Sequence, residues 1–171
     1  MSILQTLAEA LAPWQHAFAN SKTLSAGVTF VHLGSLLFGG GFAVAADRQV
    51  LRAARATDDV RRRLLDELDA VHRPVLIALT FSFISGILLV TSEIETFWRS
   101  PIYWVKMGLV AALLVNGTML RSTERAARAA ADANDALKTA AMWSRLTLAS
   151  WASALLWLSV VLAGVVLVGA A

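Results

Sequence analysis

The sequence predicts an all-α integral membrane protein, a four-helix bundle preceded by an amphipathic interfacial helix. Three observations carry that expectation. Of 171 residues, 57% are hydrophobic and only 16% charged, too little polar surface for a water-soluble domain of this size. The apolar residues gather into four blocks, about 24–46, 74–91, 102–120 and 146–169, each close to the ~20 residues that cross bilayer hydrocarbon as a helix. Finally, twelve of the fifteen lysines and arginines lie in segments 47–73 and 121–145, whereas the connection SEIETFWRSP between them carries only Arg99. Cytoplasmic loops carry the excess of positive charge, so both basic segments are expected in the cytoplasm and both chain ends outside. The net charge of +3 is thereby explained by orientation, and no nucleic-acid partner is expected.

The connections are too short for a separate domain, which leaves residues 1–22 as the interfacial helix and 23–171 as one four-span domain. The absence of cysteine excludes disulfides, thiolate metal sites, iron–sulfur clusters and covalently attached c-type haem. At the start, Ile3, Leu4, Leu7, Leu11, Trp14 and Phe18 repeat at helical spacing, without the basic start and small-residue cleavage site of a signal peptide. This predicts a helix lying on the outer membrane surface, bent near Pro13, with His16 solvated beside Trp14.

The first span holds one strongly polar side chain, His32. An ionisable group at that depth costs a few kcal/mol unless something satisfies it, so His32 is expected to face the protein interior. Positions 32, 35, 36, 39, 43 and 46 share a helix face, which places the imidazole above a groove of Ser35, Gly39 and Ala43. Two accounts of that groove stay open. Small residues let a neighbouring helix approach closely, or they make room for a flat cofactor, to which the run Gly39-Gly40-Gly41 lends some weight.

The segment after the first span pairs acids with bases at helical spacing and sets Val60, Leu64, Leu65 and Leu68 on one side. It reads as a helical extension, its charges a solvated face with arginines near lipid headgroups. His72, at its end, is expected to find water or a headgroup. In the second span Ala78, Ser82 and Gly86 form a small-residue seam. Trp98, Tyr103 and Trp104 form an aromatic girdle at the outer boundary, with Trp14 nearby and Trp143 opposite.

Ser100-Pro101 suits the start of the third span. Lys106 enters one turn below the outer surface and either snorkels to the headgroups or pairs with a buried anion. Asn116, deeper in, must bond to something, most often a neighbouring helix. Segment 121–145 reads as an alanine-rich helical hairpin, and the last span, with serines but no ionisable group, as a packing helix.

Two histidines in a bundle raise the possibility of a bis-histidine b-type haem, which geometry excludes. His32 and His72 lie some 15–20 Å apart along the membrane normal, whereas two axial nitrogens of one iron are only about 4 Å apart. A haem would have His32 as its single strong ligand, with Lys106 at similar depth for a propionate. Copper(I) prefers sulfur ligands, and the only candidates are Met1, Met107, Met119 and Met142, without paired spacing. Proton translocation lacks a chain of buried carboxylates.

At these residues the chain resembles a known group. The run H-L-G-x-x-L-x-x-G-x-x-x-x-A-x-D-R from His32, then S-P-x-Y-x-x-K from Ser100 and the buried Asn116, resembles the CopD-like superfamily of small bacterial membrane proteins, which includes the CopD copper-resistance domain, HemJ-type protoporphyrinogen oxidases and uncharacterised four-helix members. The resemblance spans the first three helices, and it implies an inner-membrane location. In HemJ-like members the positions of His32 and Lys106 are associated with b-type haem and porphyrin chemistry; Arg48 and Trp104 match more loosely. A further histidine usual late in the third helix is Asn116 here. The resemblance implies haem b held through His32 with Lys106 nearby, in a membrane redox or porphyrin role, and the groove reading adds Ser35 and Gly39 to the candidate cofactor-binding residues. An accessory subunit of a larger membrane complex, or a homo-oligomer, is the alternative, and copper handling a second one.

Overall fold

The computed structural model describes residues 3–169, which form six helices: α1 (Ile3–Asn20), α2 (Lys22–Ala53), α3 (Asp58–Ser92), α4 (Ile94–Arg99), α5 (Pro101–Asp132) and α6 (Ala136–Gly169). Residues 1, 2, 170 and 171, within the ranges expected for the interfacial helix and the bundle, lie outside the described residues. The four long helices are apolar enough to cross a membrane and contain the four expected spans. Each also runs beyond its apolar block, so the basic segments are helical extensions, as their periodicity implied.

Local chemistry explains where the helices begin and end. Ser21 caps α2 by accepting from the Leu24 amide at 3.2 Å. Ser100 caps α5 by accepting from Tyr103, with Pro101 in the first turn, where its missing N–H is harmless. Pro13 and Pro74 are accommodated inside α1 and α3. Between α5 and α6 the Asn134 backbone takes φ 54°, the left-handed conformation asparagine tolerates. There the Asp135 amide bonds the Ala130 carbonyl and the Asn134 amide that of Ala131, at 3.0 and 3.1 Å, closing α5 with a Schellman turn.

The helices α2 and α3 form one antiparallel hairpin and α5 and α6 another; α2 packs along α6, while α3 touches α5 lightly. Among the described residues, every hydrogen bond or ion pair between α3 and α5 lies at the arginine-rich end. In the middle of the bundle Leu113, Trp157 and Val160 form an apolar plug, joined by Leu36, Ala43 and Leu79. A second core, of Val50, Leu64, Leu65, Leu68, Ala127, Trp143 and Leu146, fills the arginine-rich end. The outward faces stay apolar and bare, Leu37 being 80% and Phe83 68% exposed, a surface that suits lipid contact. This is a multi-pass membrane protein.

Several expectations are corrected here. Trp143 belongs to no girdle: it is 3% exposed, inside the arginine-end core, with the Arg61 guanidinium 5.3 Å from its ring centroid. The arginines are not only a solvated face. Arg61 donates to the Ala53 and Ala54 carbonyls at the end of α2, and Arg62 to Ala131 near the end of α5. Helix C-termini leave carbonyls unpaired, and a cationic donor there satisfies both hydrogen bonding and the helix dipole. Arg128 likewise bonds the Leu65 carbonyl and pairs with Asp66 at 3.1 Å.

At the other end Trp98, Tyr103 and Trp104 stack edge to face, with Trp98–Trp104 centroids 5.0 Å apart, and half of each tryptophan is exposed. The helix α1 lies against α2 and α3. Its half-buried Trp14 donates to the Leu88 carbonyl and Gln15 to that of Thr91, both at 3.2 Å, so it is pinned to the end of α3; His16 is exposed.

Candidate functional site

The imidazole of His32 enters the gap between α2 and α3 because Gly86 leaves it open: a Cβ there would lie 3.2 Å from His32 Cε1. Nδ1 lies 3.0 Å from the Ser82 carbonyl oxygen and 3.2 Å from Ser85 Oγ. A carbonyl can only accept, so Nδ1 carries the proton and donates. Ser85 gives its own proton to the Phe81 carbonyl at 2.6 Å, which leaves its oxygen free to accept from Nδ1. The other ring nitrogen, Nε2, makes no hydrogen bond among the described residues. A histidine whose Nδ1–H is fixed on a carbonyl presents the Nε2 lone pair in a defined direction, the arrangement typical of metal-ligating and proton-accepting histidines.

Lys106 turns inward. Its ammonium rests on α6 at Gly164, where a Cβ would stand 3.4 Å from Nζ. No carboxylate pairs with it among the described residues. An imidazole and an ammonium thus share the outer half of the bundle, on two helices, with an unsatisfied acceptor on one and unsatisfied donors on the other.

The seam below His32 is filled. At Gly39 a Cβ would lie 2.9 Å from the Cβ of Ala78, and at Gly40 3.1 Å from the Trp157 ring. Ala43 packs against the central plug, and Ser35 is half-buried one turn from His32. The donor set of imidazole plus ammonium matches a haem iron and a propionate, but a macrocycle does not fit along Ser35, Gly39 and Ala43, because Ala78 and Trp157 occupy that seam. Only Gly41 of the three consecutive glycines faces open space. Among the described residues no group of three or more His, Cys, Asp or Glu is gathered as for a metal ion. On the outward side of α2 and α3 runs an apolar groove of about 530 Å³, lined by Leu24, Gly27, Val28, Ile84 and Ser85 among others; it reaches Ser85 but not His32.

Asn116 behaves as its depth demands, donating from Nδ2 to the Ala149 carbonyl of α6 at 3.0 Å. His72 finds a protein partner as well: its Nε2 stands 2.6 Å from Glu124 Oε2, joining α3 to α5, while its side chain stays partly exposed. Asp47 is the residue the sequence reading missed. It is 4% exposed, faces the hydroxyls of Ser150 and Ser153 on α6, and lies within the field of Glu124. Carrying the inward face of α2 one turn past Ala43 reaches Asp47 and then the buried Val50; that phase was the available signal. No family model matches the chain, and neither curated proteins nor solved structures offer a match.

Proposed function

We propose that this chain binds a membrane-soluble, carboxylate-bearing ligand in the outer half of the bundle. Lys106 pairs with the carboxylate, and His32 offers Nε2 to a metal or to an acidic hydrogen of the same ligand. The observation that carries the reading is an imidazole fixed through Nδ1 and, in the same half of the bundle, an inward-turned ammonium that no carboxylate pairs among the described residues. A half-buried cation without a counter-ion carries a desolvation cost, which a ligand carboxylate offsets. Since the glycine seam is closed, the ligand enters where α3 and α5 are not bonded to each other. Haem b and other carboxylated tetrapyrroles are the first ligands to test, given the resemblance of these positions to CopD-like proteins. The proposed location is a bacterial inner membrane, with the arginine-rich end in the cytoplasm and both chain ends outside, in keeping with the distribution of basic residues.

The test is a titration of the purified full chain with haem and with metal-free protoporphyrin IX, followed by absorption. Lys106→Met should weaken both by tenfold or more, about 1.4 kcal/mol. His32→Ala should weaken haem and remove the spectral signature of its axial ligand. If neither molecule binds, or if binding ignores both residues, the reading is overturned. A second reading, an accessory subunit of a larger membrane complex, is favoured by the closed seam: Gly39, Gly40 and Gly86 all serve contacts within the bundle. It predicts recovery with partner proteins in mild detergent and no chromophore. Copper handling has only the four methionines to support it and predicts copper-dependent growth on deletion.

A further inference from the structure

At the arginine-rich side of the central plug the polar chemistry reverses sign. Asp47 on α2 faces Ser150 and Ser153 on α6, and the Glu124 carboxylate approaches from α5. Asp47 is 4%, Ser150 0% and Ser153 4% exposed. Two atoms in this layer, Asp47 Oδ2 and Ser150 Oγ, are buried with no hydrogen-bond partner. Leaving a buried polar atom unpaired costs about 1–3 kcal/mol, and more when it is charged, so this layer is a costly place for a permanent charge.

The surroundings say what. No basic side chain bonds Asp47 among the described residues. The Arg48 next to it is exposed. The nearby charged group is another carboxylate, Glu124, itself bonded to His72 of α3. An ionised Asp47 would therefore sit dry and beside a like charge, with the hydroxyls of Ser150 and Ser153 as its only support and no counter-ion. A proton removes the charge and supplies the O–H that an acceptor such as Ser150 Oγ can receive.

We propose that Asp47 is a reversible proton-binding site, with Ser150 and Ser153 as its hydrogen-bonding partners and the Glu124–His72 pair as its link to water at the arginine-rich end. The side chains of Glu124 and His72 are 13% and 21% exposed, so they reach that water where Asp47 does not. On release, the O–H bond of Asp47 breaks as an O–H bond forms on water reached through the Glu124–His72 pair, giving hydronium, and the buried layer gains one negative charge; uptake reverses both changes. No other reactant takes part. His32 and Asp47 lie fifteen residues apart on α2, about 22 Å along its axis, so this site stands independently of the ligand proposed for the outer half.

The experiment is infrared difference spectroscopy of the full chain in lipid nanodiscs, stepped in pH and repeated in deuterated water. Expected is a carboxylic C=O band that appears on acidification, shifts in deuterium, and is lost in Asp47→Asn. Ser150→Ala should keep the band and shift its frequency, because one hydrogen-bond partner is gone. If Asp47→Asn does not fold, the wild-type band and its displacement in Ser150→Ala carry the same decision. A band that persists in folded Asp47→Asn, or no pH-dependent C=O band in the wild type, overturns the proposal. So does a wild-type band that responds to sodium at constant pH, since the occupant is then a metal cation.

Discussion

The Cα of Gly39 on α2 faces the methyl group of Ala78 on α3 so closely that a Cβ on the glycine would lie 2.9 Å from it. No side chain fits there unless the helices part. Gly39→Val is therefore expected to lower stability by about 1–3 kcal/mol, the usual effect of overpacking, read as a drop in the thermal midpoint in detergent. Gly41→Ala is the control. A Cβ there meets nothing within 4 Å, so the change should be neutral or add up to about 1 kcal/mol through helix propensity. Equal effects of the two substitutions would refute the seam.

Gly86 admits the imidazole as Gly39 admits the methyl. In Gly86→Ala the new methyl reaches 3.2 Å from His32 Cε1, and the ring must move by a few tenths of an ångström. Nitrogen-15 signals of the His32 ring should shift, reflecting a strained bond from Nδ1 to Ser82. An unchanged ring spectrum would mean that the imidazole is not held between α2 and α3.

Lys106 offers a test in which stability and binding part company. Its ammonium loses no partner on substitution, so Lys106→Met should leave the thermal midpoint unchanged or raise stability by about 1 kcal/mol or more, while ligand affinity falls. Marked destabilisation would show that the lysine holds the bundle together instead.

Arg61 should behave in the opposite way. It closes the end of α2 through two carbonyls and lies over Trp143, so Arg61→Met is expected to cost about 1–3 kcal/mol. Arg61→Lys should restore only part, since an ammonium cannot reproduce the planar fork. Denaturation followed by tryptophan fluorescence measures both.

The pair His72–Glu124 is the bond between α3 and α5 nearest the membrane interior, at 2.6 Å. A double-mutant cycle of His72→Gln and Glu124→Gln should return a coupling of about 0.5–3 kcal/mol. Additive effects would mean that the contact does not fasten the hairpins.

What the sequence made legible was whatever depends on one helix at a time. The spans follow from the length of the apolar runs, the start of α5 from Ser100-Pro101, and the Asn116 bond from the need of a deep amide for a partner. The inward turn of His32 and Lys106 was half legible, because depth says that a polar group needs company without saying whose. The remainder depends on how two helices are rotated against each other. Nothing near Asp47 in the chain says that Ser150 will face it, or near His72 that Glu124 will. The short α4, from Ile94 to Arg99, lies in a connection with no apolar block to announce it. Trp143 read as a girdle residue because tryptophan is common at membrane boundaries; Arg61, eighty-two positions earlier, is what covers it.

The cross-links between α3 and α5, gathered at one end, make the molecule resemble a clothes-peg: riveted at the arginines, and at the tryptophan side joined by the short α4 and apolar contacts. Thinning or thickening the surrounding bilayer would thus spread or squeeze the jaws that contain the imidazole and the ammonium, while the riveted end kept its grip.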